Sequence, residues 1–144
     1  MSGKGIDFIG RIRWIWIRAN QIFALVNSIL VLTETGGTLT ADGAVQTVCI
    51  NETPLGVFKP KKVMIDCSNM ALLDVTTVRV YKRIIAGGAL TLVDEEEYSG
   101  PQDIALLTPM KVIDLGENRF GFSVTLEQSA GTNRDYVWEY IYKD

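Results

Sequence analysis

The stretch Asn118–Lys143, NRFGFSVTLEQSAGTNRDYVWEYIYK, decides how this chain is read. From Arg119 to Glu127 the residues Phe120, Phe122, Val124 and Leu126 alternate with Gly121, Ser123 and Thr125, the period-two pattern of a strand with one face in a core and the other toward water. The last segment repeats the pattern, with Tyr136, Trp138, Tyr140 and Tyr142 on one face and Val137, Glu139 and Ile141 on the other. Gln128–Arg134, built around Gly131 and Asn133, has turn composition. The reading predicts two strands, 119–128 and 135–143, paired as a hairpin. It assigns Phe120, Phe122, Val124, Leu126 and Trp138 to one core.

Working back toward the N-terminus, strand-like runs recur about every dozen residues, each closed by Gly, Pro, Asn or Asp. They fall near 37–40, 44–51, 57–67, 75–86, 89–98 and 104–114. With the two above, they predict a mainly β fold, an antiparallel β-sandwich, jelly-roll-like, of seven or eight strands. The character changes near residue 33. Ahead of it Phe8, Ile12, Ile15, Ala19, Ile22, Val26 and Ile29 follow alternating steps of four and three, an unbroken heptad seam, and Ile9, Trp16, Phe23 and Leu30 form a second stripe at spacing seven. This predicts one long apolar helix over about 8–32, giving an assembly segment, 1–35, and a sandwich domain, 36–144.

The chain has 144 residues, enough for one ordinary core but not for two large domains. It contains no histidine, which removes the Ser-His-Asp and Cys-His triads, the imidazole base and the histidine metal site. The formal charge is −3, opposite to the footprint of a nucleic-acid binder. Residues 1–35 carry +2, from Lys4, Arg11, Arg13 and Arg18 against Asp7 and Glu34, leaving −5 on the rest. Arg11, Arg13 and Arg18 also break the apolar region a secretory signal would need, so synthesis in a cytoplasm is expected.

Residue clusters that could carry chemistry read as structure. Cys49 and Cys67 lie in expected strands without C-x-x-C spacing and are taken as small apolar side chains. Asp94, Glu95, Glu96 and Glu97 lack the frame of a calcium loop and suit a strand edge that resists pairing. Gly36-Gly37 and Gly87-Gly88 lack the context of a phosphate loop and are expected to be turns. Asp114 and Glu117 flank another turn. Lys59, Lys61 and Lys62, like Arg79, Lys82 and Arg83, read as solvated strand faces. No cofactor, metal or catalytic residue is assigned.

The segments Leu32–Gly43 (LTETGGTLTADG), Gly56–Met70 (GVFKPKKVMIDCSNM), Glu97–Ala105 (EYSGPQDIA) and Asn118–Glu139 together resemble a β-domain that recurs in predicted structural proteins of uncultured phages and archaeal viruses, over about residues 32–143. In that group a helical or coiled-coil segment precedes the domain. The resemblance implies a structural role in a virion, a capsid or capsid-associated subunit made in the host cytoplasm. It transfers no catalytic or ligand residue.

The expected partners are copies of the same chain, meeting through Phe8, Ile12, Ile15, Trp16, Ala19, Ile22, Phe23, Val26 and Ile29, and other virion proteins, with no specific nucleic acid. Two alternatives stay open for the helix: folding back on its own domain, or contact with a membrane through Trp14 and Trp16. For the whole chain the alternative is an oligomeric receptor- or glycan-binding module on a helical or membrane-anchored stalk.

Overall fold

The computed structural model describes residues 8–30, 33–52, 59–105 and 107–143, with side chains on the helix described for 11–22. The chain divides into two compact units at the boundary between residues 31 and 32. The first holds one helix, α1 (Phe8–Leu30), of 23 residues, about 35 Å at the usual rise. This helix is not the long apolar element expected from the sequence. It carries Arg11, Arg13 and Arg18, and no helix among the described residues is long and apolar enough to cross a membrane.

The second unit is mainly β. Among the described residues its strands number eight: β1 (Thr33–Thr40), β2 (Gln46–Asn51), β3 (Lys59–Asp66), β4 (Val75–Lys82), β5 (Thr91–Ser99), β6 (Met110–Asp114), β7 (Phe122–Ala130) and β8 (Asp135–Lys143). They form two four-stranded antiparallel sheets, ordered β1-β8-β3-β6 and β2-β7-β4-β5. The inward faces of both sheets meet in one core that includes Val63, Ile65 and Tyr136 from the first sheet with Val78, Phe122, Val124 and Leu126 from the second. Three side-chain contacts cross that core directly. The rings of Phe122 and Tyr140 lie 5.4 Å apart, and the Tyr136 hydroxyl is 2.6 Å from that of Thr76 while donating to Gln128 Oε1 at 3.3 Å.

The sheet order overturns the expected hairpin. β7 pairs with β2 and β4, whereas β8 pairs with β1 and β3, so these two consecutive strands belong to opposite sheets. The connection between them is an arch held by two buried side chains. Gln128 Nε2 donates to the carbonyls of Ala130 and Thr132 at 3.2 and 2.7 Å, and its Oε1 accepts from the Arg134 amide at 2.9 Å. Asp74, 2% exposed, accepts from the Thr132 amide at 3.1 Å, the Ala71 amide at 2.7 Å and Arg134 Nε at 2.7 Å. At Gly131 the chain takes φ +87°, and a methyl group there would collide with the Asp74 carboxylate, so the arch requires glycine on both counts.

Several local expectations change for related reasons. Phe120 stands outside β7, because Asn118 Oδ1 accepts from the amides of Phe120 and Gly121 at 2.8 and 2.6 Å and holds them in a turn. Its ring lies instead beneath the Arg119 guanidinium. Trp138 packs against the core only partly buried. Ser123 and Thr125 were expected to meet water, yet both are buried. Their registry partners Tyr81 and Arg79 share their face of the sheet and shield it with longer side chains.

Gly36-Gly37 is no turn. Both residues sit within β1, opposite Glu139 and Trp138, and a side chain at Gly36 would strike the Trp138 carbonyl. β1 accordingly starts at Thr33, ahead of the expected 36 boundary. β4 ends at Lys82 rather than 86, and β6 begins only at Met110 rather than 104. The inward face of β8 agrees with its alternation: Tyr136 and Tyr140 are buried, Trp138 and Tyr142 partly so, and Val137 is exposed.

Phe122→Ala should cost about 3 to 5 kcal/mol in a urea melt, because the ring is fully enclosed between the sheets. Phe120→Ala should cost clearly less. Removing Asp74 leaves Arg134 and two amides without their acceptor, so Asp74→Ala is expected to destabilise by about 3 kcal/mol or more.

The acid limb of stability carries a second signature of this residue. Burial works against its charge, but the Arg134 guanidinium and the Ala71 and Thr132 amides outweigh that and hold its pKa below the ordinary 3.8. Its contribution is therefore complete above about pH 4 and is lost as pH falls through the depressed value. Asp74→Asn should flatten the stability–pH profile in that window.

Candidate assembly surface

α1 carries the largest cluster of exposed apolar side chains that the sequence anticipated. Of the nine residues expected at the contact between copies, Ile12, Ile15, Trp16, Ala19 and Ile22 are all exposed, Trp16 at 68%. Phe8, Phe23, Val26 and Ile29 lie on the same helix, but their side chains fall outside the described residues. At about 100° per residue, the five described positions share one arc of the surface. Arg11 and Arg18 border that arc on one side and Arg13 on the other, and the helix has no acidic residue.

Two exposed residues escape the heptad pattern. Trp14 and Ile17, 60% and 54% exposed, lie on the far side of the helix, with the Arg18 guanidinium 5.0 Å from the Trp14 ring. This i,i+4 pair offers the cation an aromatic face in an otherwise acid-free neighbourhood. No repeating seam marks these two positions, so heptad reading passes over them.

The β unit contributes a second apolar surface that sequence reasoning missed. The loops β1–β2, β3–β4, β5–β6 and β7–β8 gather at one end of the sheets. Main-chain bonds knit them together, from the Ala41 amide to Arg134 O at 2.8 Å, Cys67 to Pro109 at 3.0 Å and Gly100 to Asp74 at 2.8 Å. Val45, Leu72, Leu73, Ile104 and Leu107 are exposed in this group of loops, Leu72 at 79%. Isolated apolar residues in loops carry no periodic signal, which is why only the topology collects them.

Groups that could carry chemistry are committed to structure. Arg79 spans Glu95 at 2.5 Å and Glu127 at 2.6 Å, and hydrogen bonds to Glu127 and then Glu95 raise its pKa. Lys82 donates to the Leu115 carbonyl, and Arg83 to the carbonyls of Glu52 and Phe120. The expected solvated basic face at 79–83 is therefore largely tied to neighbouring acids and carbonyls, although the buried Arg83 Nε has no hydrogen-bond partner among the described residues. Of the four acids on β5, Glu95 holds Arg79 and Glu96 accepts from the Tyr98 hydroxyl at 2.7 Å. All four lie exposed along an edge strand. Gly116 donates to Asp114 Oδ1 at 3.0 Å in a turn with φ +60° at the glycine.

An open cleft of about 550 Å³ is lined by Thr35 and Trp138 of the first sheet and Thr47, Ile50 and Asn51 of the second. Among the described residues no group of three or more His, Cys, Asp or Glu side chains could hold a metal ion. No family model matches the sequence, and no curated protein does either.

Cys49 and Cys67 are free and buried, and burial pushes both thiols up from 9.0 to about 12. Both should therefore resist a thiol reagent at pH 8 until the protein is unfolded, with full labelling of two thiols in denaturant. Because the folded values lie above the unfolded one, the neutral thiols contribute their full stability below pH 9. That contribution is lost as pH climbs from 9 toward 12. Replacing Cys67 with Ala, at the cost of some packing, should shallow the alkaline decline in a pH-dependent melt.

Proposed function

We propose that this chain is a non-enzymatic virion structural protein, a capsid or capsid-associated subunit that acts by self-assembly. The observation that carries the reading is the strand order. Each sheet alternates strands from the two halves of the chain, and four of the six antiparallel pairs, β1·β8, β2·β7, β3·β6 and β4·β5, join strands equidistant from the middle, while β3·β8 and β4·β7 stitch those pairs into sheets. This is the path of one long folded ribbon rolled into two sheets, which we read as a jelly roll. Domains of that type serve as viral capsid subunits and as lectins. The step from fold to role rests on likeness of architecture.

The exposed surfaces supply what assembly needs. α1 offers an arc of exposed apolar side chains of the kind that marks interaction sites, and the loop end adds further exposed apolar residues. Three of the four sheet edges, by contrast, are guarded: β5 carries four consecutive acids, β6 has five residues, and β2 is bulged between Thr47 and Cys49, leaving β1 as the longer unguarded edge. Copies would therefore meet through α1 and the loop end rather than by joining sheets along those three edges. Assembly takes place in the host cytoplasm, the finished location is the virion, and the partners are copies of the chain with other virion proteins.

A second reading follows from the other use of the same wrap. In it, the chain is a receptor- or glycan-binding module on an α1 stalk, with the cleft at Thr35, Thr47, Asn51 and Trp138 as its sugar site, an indole beside hydroxyl and amide groups. A glycan array on the purified chain distinguishes the two: saturable binding that is lost on Trp138→Ala favours this reading.

Electron cryomicroscopy of the expressed protein should show regular multi-copy density, and purified source particles should contain the chain in many copies. A monodisperse monomer missing from such particles would sink the proposal. Placing charge in the arc with Ile15→Asp and Ile22→Asp should reduce the sedimenting species to a smaller one, with the β unit's melting temperature unchanged.

A further inference from the structure

We propose that copies of α1 associate in parallel, with Arg11 of one copy seated on Trp16 of the next. The inference rests on the self-assembly reading and names the orientation of that contact. With the seam in the core, Ile12, Ala19 and Val26 occupy the a positions and Phe8, Ile15, Ile22 and Ile29 the d positions. Arg11 and Arg18 then fall at g, one heptad apart, and Trp16 at e, and flanking g and e residues set partner orientation in helical assemblies.

In a parallel arrangement a g residue meets the e residue five positions further along its neighbour. Arg11 meets Trp16, and Arg18 meets position 23, a phenylalanine in the sequence. Each cation finds an aromatic face instead of another cation. In an antiparallel arrangement g meets g, so arginine faces arginine, and α1 has no acidic residue to relieve the repulsion. The taste of this guanidinium for an indole is already visible within one chain, where Arg18 lies over Trp14. β-branched residues at both a and d, namely Ile12, Val26, Ile15, Ile22 and Ile29, favour three or four helices over two. A parallel bundle also sends every chain on into its β unit from the same end.

Variants of the full chain with one added cysteine read the orientation directly, against the unsubstituted chain, with its buried Cys49 and Cys67, as control. Ile12→Cys should form a disulfide between equivalent positions on mild oxidation, and a mixture of Ile12→Cys with Val26→Cys should give no mixed product. Arg11→Gln with Arg18→Gln should lower the association constant about fivefold or more, with lysine at both positions restoring part of it. Mixed 12–26 products in a species that still sediments as several copies would overturn the parallel arrangement and leave self-assembly standing. A monomer at every concentration overturns both. A monomer that floats with phosphatidylserine vesicles does so too, and identifies an anionic lipid surface as what covers the arc.

Discussion

The fold depends on one buried carboxylate. Asp74 opens β4 in one sheet, yet its oxygens hold the Thr132 amide and the Arg134 guanidinium of the arch that delivers the chain to β8 in the other. A charge with 2% exposure is tolerated only where its acceptors are filled, and here three donors fill them. The geometry is demanding: a side chain at Gly131 has no room against Asp74, and Gln128 must turn inward to satisfy the arch carbonyls. Because the arch is pinned, β8 cannot fold back on β7 and instead inserts between β1 and β3.

That insertion organises the rest. With β8 central in one sheet and β7 central in the other, the most aromatic strand and the most enclosed strand face each other. Phe122 reaches Tyr140, and Tyr136 reaches both Thr76 and Gln128. Tyr136 thus joins the hydrophobic interior to the polar arch, its buried hydroxyl satisfied by Thr76 and Gln128. Burial keeps this phenol above its ordinary pKa, so it stays neutral across the physiological range. The same topology brings four loops to one end and leaves Leu72, Leu73, Ile104 and Leu107 uncovered there. Stability and the proposed assembly surface are therefore separate: the arch and core hold the β unit, while α1 and the loop end remain available for contact.

Local pattern was sufficient wherever a residue's environment is set by its immediate neighbours. The period-two alternation of Tyr136–Tyr142 placed the inward face of β8, the steps of three and four placed Ile12, Ile15, Ala19 and Ile22 on one arc of α1, and the burial of Cys49 and Cys67 followed from residue type and strand context. A mainly β chain of seven or eight strands was likewise legible, since each strand is bounded by its own turn residues.

Tertiary structure alone decided which strand lies beside which. Alternation says that a strand has an inside, but it carries no label for the sheet to which that inside belongs, and Gln128–Arg134 has turn composition whether it closes a hairpin or arches between sheets. The arch is held by Asp74, more than fifty residues away in sequence, whose hydrogen bonds to Thr132 and Arg134 exist only once the two sheets have come together. Gly36-Gly37 shows the same limit: two glycines read locally as a turn, but the close approach of the Trp138 carbonyl makes them the residues that fit a strand there. Ser123 and Thr125 are polar by sequence and buried by their neighbours Tyr81 and Arg79. In each case the deciding partner is distant along the chain and near only in space.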